Sequence, residues 1–289
     1  MLAQGLPPRA NRQAAQLMLD AVRQSGALPA ITAVVKGVPA AGLDDNELEH
    51  LLRGDGWSKV SARDIPMAMV RKSDGATTVA AALLIARQAG IEVFATGGIG
   101  GIHREPTHDE SADLAELARS PIIVVCAGAK SILDLRATVE RLETLGVPVI
   151  GYRTPELPGF FCAESGILLD SSVETTDEVA DIFLASRTLG REVALLIVQP
   201  PPASEALPRD VVDAAVEQAL ARAREEGVRG AAVTPFLLAA VEKETDGRSL
   251  ATNLALLQAN SRLAAEIAVA LAARRRIPAS RLPNPASPS

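Results

Sequence analysis

The sequence predicts an α/β fold, in which a mostly parallel sheet is flanked by helices as an α/β/α sandwich and is followed by a helical C-terminal part. The first observation behind this prediction is a set of short runs that are apolar at every position, as at 122–126 and 193–198. Such runs are typical of parallel strands buried on both faces. The second is that these runs alternate with stretches in which apolar residues recur at helical spacing. Beyond residue 209 only helical patterns remain.

The predicted elements follow one another without an internal repeat or a Gly/Ser-rich linker, so we expect a single domain over 1–276. Gly26 marks the end of the first helix, and Thr175 with Glu178 forms a capping box at the start of a later one. The Pro- and Ser-rich stretch 277–289 is predicted to be a disordered tail. The predicted helices cover 11–24, 44–52, 77–89, 111–119, 131–145, 175–189, 210–226, 235–244 and 249–273, and the predicted strands cover 31–35, 91–95, 122–126, 147–150 and 193–198.

Composition excludes several classes of function. The 289 residues include 29 basic and 35 acidic side chains, and a net charge of −6 argues against a basic face that binds nucleic acid. Two cysteines, Cys126 and Cys162, are too few for a disulfide framework or a structural zinc site, so we expect buried, reduced thiols. No apolar run has the length of a membrane span and no secretory signal is recognisable, which predicts a cytoplasmic protein without a membrane partner.

A glycine-rich segment follows the strand predicted at 91–95. It reads Thr-Gly-Gly-Ile-Gly-Gly-Ile-His-Arg over 96–104, and its glycines would let backbone amides approach a ligand closely. The segment differs from the dinucleotide fingerprint, because no third glycine opens a helix at the required offset. A flexible turn is the alternative, but the adjoining His103 and Arg104 favour a binding site.

Two carboxylates, Asp109 and Asp113, stand at the start of the helix predicted over 111–119. They could bind a hard divalent cation or hold a ligand hydroxyl. Ser111 or Asp109 could equally cap the helix, with Asp113 favoured by the helix dipole. The spacing alone favours the caps.

Lys130 follows the apolar strand predicted at 122–126, among small and apolar neighbours. Burial and the positive end of the helix predicted at 131 would both lower the pKa of its amine. A neutral amine is what imine formation with a sugar aldehyde requires. A lysine that extends into water or pairs with Asp134 is the alternative, and the small neighbours, which leave room for a substrate, favour the nucleophile.

A fourth candidate combines Lys59 with the segment Gly-Ala-Thr-Thr-Val at 75–79. Threonine hydroxyls and free amides at a helix start suit an anion, and Lys59 could supply the matching charge. The alternative is a solvated lysine beside an N-capped helix. Taken in isolation, these residues favour this alternative over an anion site.

Taken in order, these segments resemble the pseudouridine-5′-phosphate glycosidase family, and the likeness runs from about residue 5 to about residue 268. Two blocks are long and specific: Ala-Thr-Gly-Gly-Ile-Gly-Gly at 95–101 and Cys-Ala-Gly-Ala-Lys-Ser-Ile-Leu-Asp at 126–134. Shorter matches lie at 26–30, 59–64, 75–80, 111–114, 146–148, 234–238 and 249–253. The resemblance implies a cytoplasmic homotrimer that reversibly splits the C–C bond of pseudouridine 5′-phosphate into uracil and ribose 5-phosphate.

The resemblance also implies roles for individual residues. Lys130 would be the nucleophile, forming an imine with the opened ribose as the C–C bond breaks. Asp109 would hold a divalent metal, usually Mn²⁺. The residues implied to contact the substrate are Lys59, the Val79 amide, Ser111, Ala112 and Asp113, with His103 and Asn253 as further polar contacts.

The sequence departs from the family pattern at three places. In the family a catalytic Glu, the proton donor, lies in a strand just before a His-Gly-Met-Pro turn; the corresponding turn here is Gln-Gly-Leu-Pro at 4–7, and no Glu precedes it. The connection 103–113 is shorter, and the Asn-Pro after the last strand is Gln199-Pro200. Loss of a general acid typically costs about 10²–10⁴-fold in rate. We expect either a start codon assigned too late, which we favour, or an impaired phosphosugar-binding member.

Overall fold

The computed structural model describes residues 2, 6–54, 56–105, 109–228 and 233–275. The predicted tail at 277–289 lies outside these residues, as do Gln4 and Gly5 of the N-terminal turn. The helices are α1 Pro8–Gln24, α2 Asp45–Arg53, α3 Ile65–Arg71, α4 Val79–Gln88, α5 Ala112–Leu117, α6 Leu135–Thr144, α7 Thr176–Thr188, α8 Arg209–Glu225, α9 Val233–Glu244 and α10 Arg248–Arg275. The strands are β1 Thr32–Val35, β2 Val38–Ala41, β3 Ser58–Val60, β4 Gly75–Thr77, β5 Val93–Ala95, β6 Ile102–His103, β7 Ile123–Cys126, β8 Leu133–Asp134, β9 Val149–Tyr152, β10 Ser172–Val173 and β11 Leu195–Val198.

A five-stranded parallel sheet lies at the centre, with strand order β10-β9-β11-β7-β5. Its middle strands are buried along their whole length, as their apolar runs predict. Ile123 and Val125 of β7 face one way and pack with α7 and α10, while Val124 and Cys126 face the opposite core. The predicted α/β/α sandwich with a helical C-terminal part is therefore confirmed.

A second sheet, of order β2-β1-β4-β3, lies in the N-terminal part. β1 and β2 form a hairpin whose two turn residues, Lys36 and Gly37, have φ values of 48° and 81°. Two positive φ values match the twist of a tight hairpin. Only β1 of this sheet was among the predicted strands. β3 and β4 pair in parallel, so that Lys59 lies opposite Ala76 at the entry to α4.

Two predicted helix starts near the candidate site are wrong. The helix predicted from 131 begins at Leu135, because Leu133 and Asp134 instead pair with β6 as β8. The helix predicted from 77 begins at Val79, since Thr77 ends β4. In both places residues of the predicted helix instead form a short strand, β8 paired with β6 and β4 paired with β1 and β3.

Helix α10 is 28 residues long, and by length and composition alone it is long and apolar enough to cross a membrane. Half of its most apolar 18-residue window is buried inside the protein. Leu263 and Ile267 pack on the central sheet, and Leu256 and Leu257 lie in the opposite core. This packing is that of a core helix.

Candidate active site

Two loops at the carboxyl edge of the sheet are joined by backbone hydrogen bonds, and one of them carries Lys130. We call residues 96–101, which follow β5, the glycine loop, and residues 127–130, which follow β7, the lysine loop. Ala127 N–H donates to the Gly97 carbonyl at 2.8 Å, and Ile99 N–H donates to the Gly128 carbonyl at 3.1 Å. Lys130 N–H then donates to the Ile99 carbonyl at 3.2 Å. The backbone of Lys130 is thus fixed by the loop of the neighbouring strand.

The amine of Lys130 lies in a desolvated and charged environment. Its burial lowers the pKa, the carboxylate of Asp113 opposes this shift, and the positive charge of Lys59 adds to it. The predicted contribution of a helix dipole is wrong, because α6 begins five residues further on, at Leu135. The predicted alternative of a pair with Asp134 is also wrong, since that carboxylate accepts from Ala137 N–H and caps α6.

Asp113 joins three parts of the site through its side chain. The residue is 5% exposed; its Oδ1 accepts from Ala80 N–H at 2.9 Å and its Oδ2 accepts from Gly100 N–H at 2.8 Å. Ser111 is the N-cap of α5, as the capping alternative predicts, and its hydroxyl accepts from Asp113 N–H. The Asp113 carboxylate therefore acts mainly outside its own helix, where it holds the start of α4 against the glycine loop.

The start of α4 offers a free donor beside a lysine. Thr78 caps the helix by accepting from Ala81 N–H, and Ala80 N–H is taken by Asp113. In the described part of the chain, no acceptor lies within hydrogen-bonding distance of Val79 N–H. Lys59 is exposed on the adjacent β3, where Thr78 N–H donates to the Val60 carbonyl. A positive charge and an unpaired helix N–H together suit an anionic group.

His103 and Asp109 lie on the same side of the site. The connection after β6 folds back, so that His103 N–H donates to the Asp109 carbonyl at 2.9 Å. Burial lowers the pKa of the imidazole, the carboxylate of Asp109 opposes this, and the charges of Lys130 and Lys59 contribute further lowering. A neutral imidazole can both donate and accept a hydrogen bond, which suits contact with sugar hydroxyls.

The described residues contain no group of three or more His, Cys, Asp or Glu side chains placed to hold a metal ion. Asp109 supplies one carboxylate, and Thr107 and His108 beside it lie outside the described residues. A hard divalent ion such as Mg²⁺ is commonly held by one or two carboxylates, with water and substrate oxygens completing its shell. Asp109 therefore fits a hard ion bound in this way and does not by itself make a protein cage.

Asn253 and Asn260 bring α10 to the start of the glycine loop. Asn260 Nδ2 donates to the carbonyls of Thr96 and Gly97, at 2.8 and 3.3 Å, and its Oδ1 accepts from Gln199. Asn253 is 8% exposed, and its Oδ1 lacks a hydrogen-bond partner among the described residues. This oxygen lies close to Gly97. The residue Asn253 lines a cavity of about 220 Å³ together with Leu6, Pro7, Phe161, Pro235, Leu238, Ala239, Glu242, Ser249 and Leu250.

The structure thus gathers most of the predicted site residues around the joined loops. The amines of Lys130 and Lys59, the His103 imidazole and both aspartates interact through their charges. Asn253 lies against the first part of the glycine loop. Ala112 contributes the first residue of α5 between Ser111 and Asp113. A larger cavity of about 450 Å³ is lined by Ser131, the residue after the lysine, and not by Lys130 itself.

Sequence reasoning missed the residues that position the site. Asn260 is 1% exposed. In the sequence it stands as a polar residue within an apolar helical pattern, and such a residue indicates a buried hydrogen bond. Ala80 and Gly100 act through their backbone N–H groups, for which side-chain identity gives no signal.

The comparisons with known proteins agree with this geometry. The model of the family described as indigoidine synthase A like protein matches residues 1–270. The chain belongs to this family. Within it, the pseudouridine-5′-phosphate glycosidase of Gemmatimonas aurantiaca is 59% identical over 271 residues, which are 94% of this chain and 89% of that protein. The corresponding protein of Chloroflexus aurantiacus is 52% identical over 93% of this chain and 90% of its own length. The predicted membership of the pseudouridine-5′-phosphate glycosidase family is confirmed.

Two solved structures share the fold. The prealnumycin C-glycosynthase AlnA, solved in complex with ribulose 5-phosphate, has a TM-score of 0.86 at 38% identity, covering 91% of this chain and 87% of its own. An indigoidine synthase A-like protein of Thermotoga maritima has a TM-score of 0.87 at 38% identity, covering 93% of this chain and 90% of its own. The architecture of the site thus rests on a fold known from experiment.

Proposed function

We propose that this protein reversibly cleaves the C–C glycosidic bond of pseudouridine 5′-phosphate, giving uracil and ribose 5-phosphate, through an imine on Lys130. The observation that carries the proposal is the hydrogen-bonded join of the two loops, in which Lys130 N–H donates to the Ile99 carbonyl at 3.2 Å and so fixes the lysine at the carboxyl edge of the sheet. Burial also lowers the pKa of its amine, which favours the neutral form that imine formation requires. Relatives that are 59% and 52% identical bear the name of this enzyme. The AlnA complex adds that a protein of this fold holds a five-carbon sugar phosphate.

The proposed chemistry balances without an oxidant or a reductant. The lone pair of Lys130 Nζ forms a bond to the anomeric carbon, and the ring oxygen leaves that carbon and takes a proton. The nitrogen gives up a proton, which balances the one taken by the ring oxygen, and regains its lone pair. The C–C bond to the base then breaks as this lone pair forms the C=N bond; the bonding electrons go to the base carbon, which takes a proton from water to give uracil. Water hydrolyses the imine, which releases ribose 5-phosphate and restores the amine.

The surrounding residues would bind and orient the substrate. Lys59 and the unpaired Val79 N–H suit the 5′-phosphate, because a helix N-terminus and a cation both favour an anion. Ser111, Ala112 and Asp113 would line the sugar, with His103 as a neutral hydrogen-bonding partner. The unpaired Oδ1 of Asn253 would accept from a donor on the substrate.

We further propose that Asp109 holds a divalent cation, Mn²⁺ in the first instance, and that the enzyme works in the cytoplasm as a homotrimer. Mn²⁺ would supply positive charge near the substrate oxygens when bound. Asp109 has its carbonyl engaged with His103 N–H, which fixes the backbone from which the carboxylate projects.

A trapping experiment tests the proposed mechanism. The protein is incubated with ribose 5-phosphate and cyanoborohydride, digested, and analysed by mass spectrometry, with Lys243→Met as a matched lysine control on the exposed side of α9. We expect a reduced sugar adduct on Lys130 in the wild type and the control, and none in Lys130→Met. Absence of the adduct in a folded protein that still releases uracil would exclude the imine.

Uracil release separates the two alternatives. An impaired phosphosugar-binding protein, which the relatives do not favour, would be stabilised by ribose 5-phosphate against heating but would release no uracil. An imine-forming enzyme for a different phosphosugar would give the Lys130 adduct and fail with pseudouridine 5′-phosphate, and a panel of sugar phosphates would identify its substrate.

A further inference from the structure

A buried phenylalanine with an unfavourable backbone conformation lies against the glycine loop. Phe160 is 2% exposed and has a φ of 68°. A bulky residue in the left-handed region is a conformational outlier, and such outliers persist only where the surrounding structure holds them. Phe160 lies in the segment 157–162, which is part of the connection between β9 and β10. We call this segment the strap.

The strap holds Phe160 in this conformation through backbone hydrogen bonds on both sides. Gly159 N–H donates to the Cys162 carbonyl at 3.0 Å, and Leu207 N–H donates to the Phe161 carbonyl at 2.8 Å. Leu157 N–H donates to the Ile167 carbonyl at 2.8 Å at the start of the strap. Phe160 and its neighbour Phe161 are both 2% exposed, and their ring centroids lie 4.6 Å apart.

The ring of Phe160 packs directly on Gly98, at the middle of the glycine loop. A Cβ atom at Gly98 would lie 2.7 Å from the ring carbons Cδ2 and Cε2, which is too close for any side chain. The strap also contacts the lysine loop, because a Cβ at Gly128 would lie 2.6 Å from the Pro158 carbonyl oxygen. Gly128 also has a φ of 82°, so glycine is required there both by this backbone conformation and by the lack of space for a side chain.

These contacts lie where the two loops are joined. Gly98 and Gly128 flank the hydrogen bond from Ile99 N–H to the Gly128 carbonyl, and the next bond runs from Lys130 N–H to the Ile99 carbonyl. Gly100, two residues beyond Gly98, donates to Asp113. The packing of Phe160 on Gly98 and of Pro158 on Gly128 therefore restrains the two loops at the hydrogen bonds that position the Lys130 backbone.

We infer that Phe160 is a positioning residue for the reaction at Lys130: its ring, held against Gly98 by the strap, sets the alignment of the glycine and lysine loops. The inference rests on the proposed function, because it assigns Phe160 an effect on the step that Lys130 carries out. A displacement of about 1 Å at a reacting group can lower the rate by about 10²-fold, so a small loss of alignment is measurable.

The test compares two substitutions of the same kind on opposite faces of the sheet. Phe160→Leu replaces the ring at the strap with a smaller side chain. Phe183→Leu makes the same change at a phenylalanine of α7 that is 1% exposed and packs in the core on the opposite face of the central sheet. We expect both variants to lose a similar amount of thermal stability. Phe160→Leu should lower kcat and the rate of adduct formation on Lys130 by about 10-fold or more with little change in KM, whereas Phe183→Leu should leave them unchanged. Equal kcat in the two variants would overturn the inference.

A double-mutant cycle on thermal stability tests the packing separately. Gly98→Ala introduces the clash with the Phe160 ring and should destabilise the protein, and Gly98→Ala/Phe160→Ala, which removes the ring, should lose less stability than the sum of the two single variants. Losses that simply add in the double variant would contradict the packing on which the inference depends.

Hydrogen exchange separates this inference from the proposed function. Amides of 98–101 and 127–130 should exchange faster in Phe160→Leu than in Phe183→Leu, whatever the substrate is. If the two variants differ in this way but the wild-type protein releases no uracil, the proposed activity is refuted and the positioning of the loops by Phe160 is supported. Unchanged exchange in Phe160→Leu would refute the positioning role alone.

Discussion

Oδ2 of Asp113 accepts a hydrogen bond of 2.8 Å from the backbone N–H of Gly100. The other carboxylate oxygen binds Ala80 N–H, so one side chain joins the glycine loop to the start of α4. The same negative charge opposes the lowering of the Lys130 pKa. Asp113 therefore has both a structural effect and an electrostatic effect, and a single substitution changes both.

Asp113→Asn is expected to destabilise the protein by about 1–3 kcal/mol, because an amide can offer only one oxygen to two buried N–H groups. The substitution also removes a negative charge and so should lower the pKa of Lys130 further. Urea denaturation and the pH dependence of adduct formation measure the two effects. The matched control is Asp134→Asn, because asparagine caps a helix about as well as aspartate does. An Asp113→Asn protein as stable as this control would contradict the bridging role.

Lys59→Met is expected to raise the pKa of Lys130, because the positive charge of Lys59 contributes to lowering it. The midpoint of the pH profile for adduct formation should therefore move upward, towards the ordinary lysine value of 10.5. The KM for pseudouridine 5′-phosphate should rise as well, since a phosphate contact is lost. Lys243→Met serves as the control. A profile that moves downward would show that Lys59 does not act on the amine through its charge.

Lys130→Met is expected to stabilise the fold at neutral pH. The pKa of Lys130 is lower in the folded than in the unfolded chain, so the unfolded chain binds the proton more tightly. The free energy of unfolding of the wild type should therefore rise with pH between the lowered pKa and the ordinary value of 10.5. The advantage of the methionine variant should shrink over the same window, as measured by urea denaturation at several pH values. A constant difference would argue against a desolvated amine.

Removal of divalent metal by a chelator is expected to lower the turnover of pseudouridine 5′-phosphate, and added Mn²⁺ should restore it. Asp109→Asn should remove this dependence and lower the pKa of His103, because the Asp109 charge raises that pKa. Glu110→Gln is the control, since Glu110 pairs with Arg141 on the surface. Full activity of wild-type protein after thorough chelation would rule out a required metal.

Both cysteines are expected to resist alkylation in the folded protein. Burial raises the pKa of the Cys126 thiol to about 12 and that of Cys162 to about 11, so little thiolate forms near neutral pH. A thiol reagent should label neither residue before denaturation and both afterwards. Rapid labelling of Cys126 in the native state would show that the core around β7 opens.

The two middle strands β7 and β11 were predictable because they are apolar at every position, and four of the five strands of the central sheet lie within one or two residues of a predicted strand. The edge strand β10, Ser172–Val173, was not predicted, because two residues carry no pattern. The small sheet was largely missed for a physical reason. β2 contains Pro39 and is mostly part-exposed, and two of the three residues of β3 are exposed. Strands this short and this solvated carry neither a continuous apolar run nor a clear alternation.

The sequence predicted which residues belong to the candidate site, but it did not predict the contacts between them. Small neighbours correctly indicated a desolvated Lys130, but the helix expected at 131 gave way to the pairing of β8 with β6. The bonds of Asp113 join residues 33 and 13 positions apart, and such pairings arise only when distant segments meet. Phe160 gave no signal at all, because its φ depends on hydrogen bonds from other segments.

The side chain of Asn260 reaches the first two carbonyls of the glycine loop from a helix that ends the described chain. During synthesis on the ribosome, β5 and the glycine loop emerge well over a hundred residues before this asparagine. The nascent chain therefore carries Lys130 long before the amide that holds the neighbouring loop. We expect the glycine loop to reach its final geometry only after α10 has been synthesised and has docked.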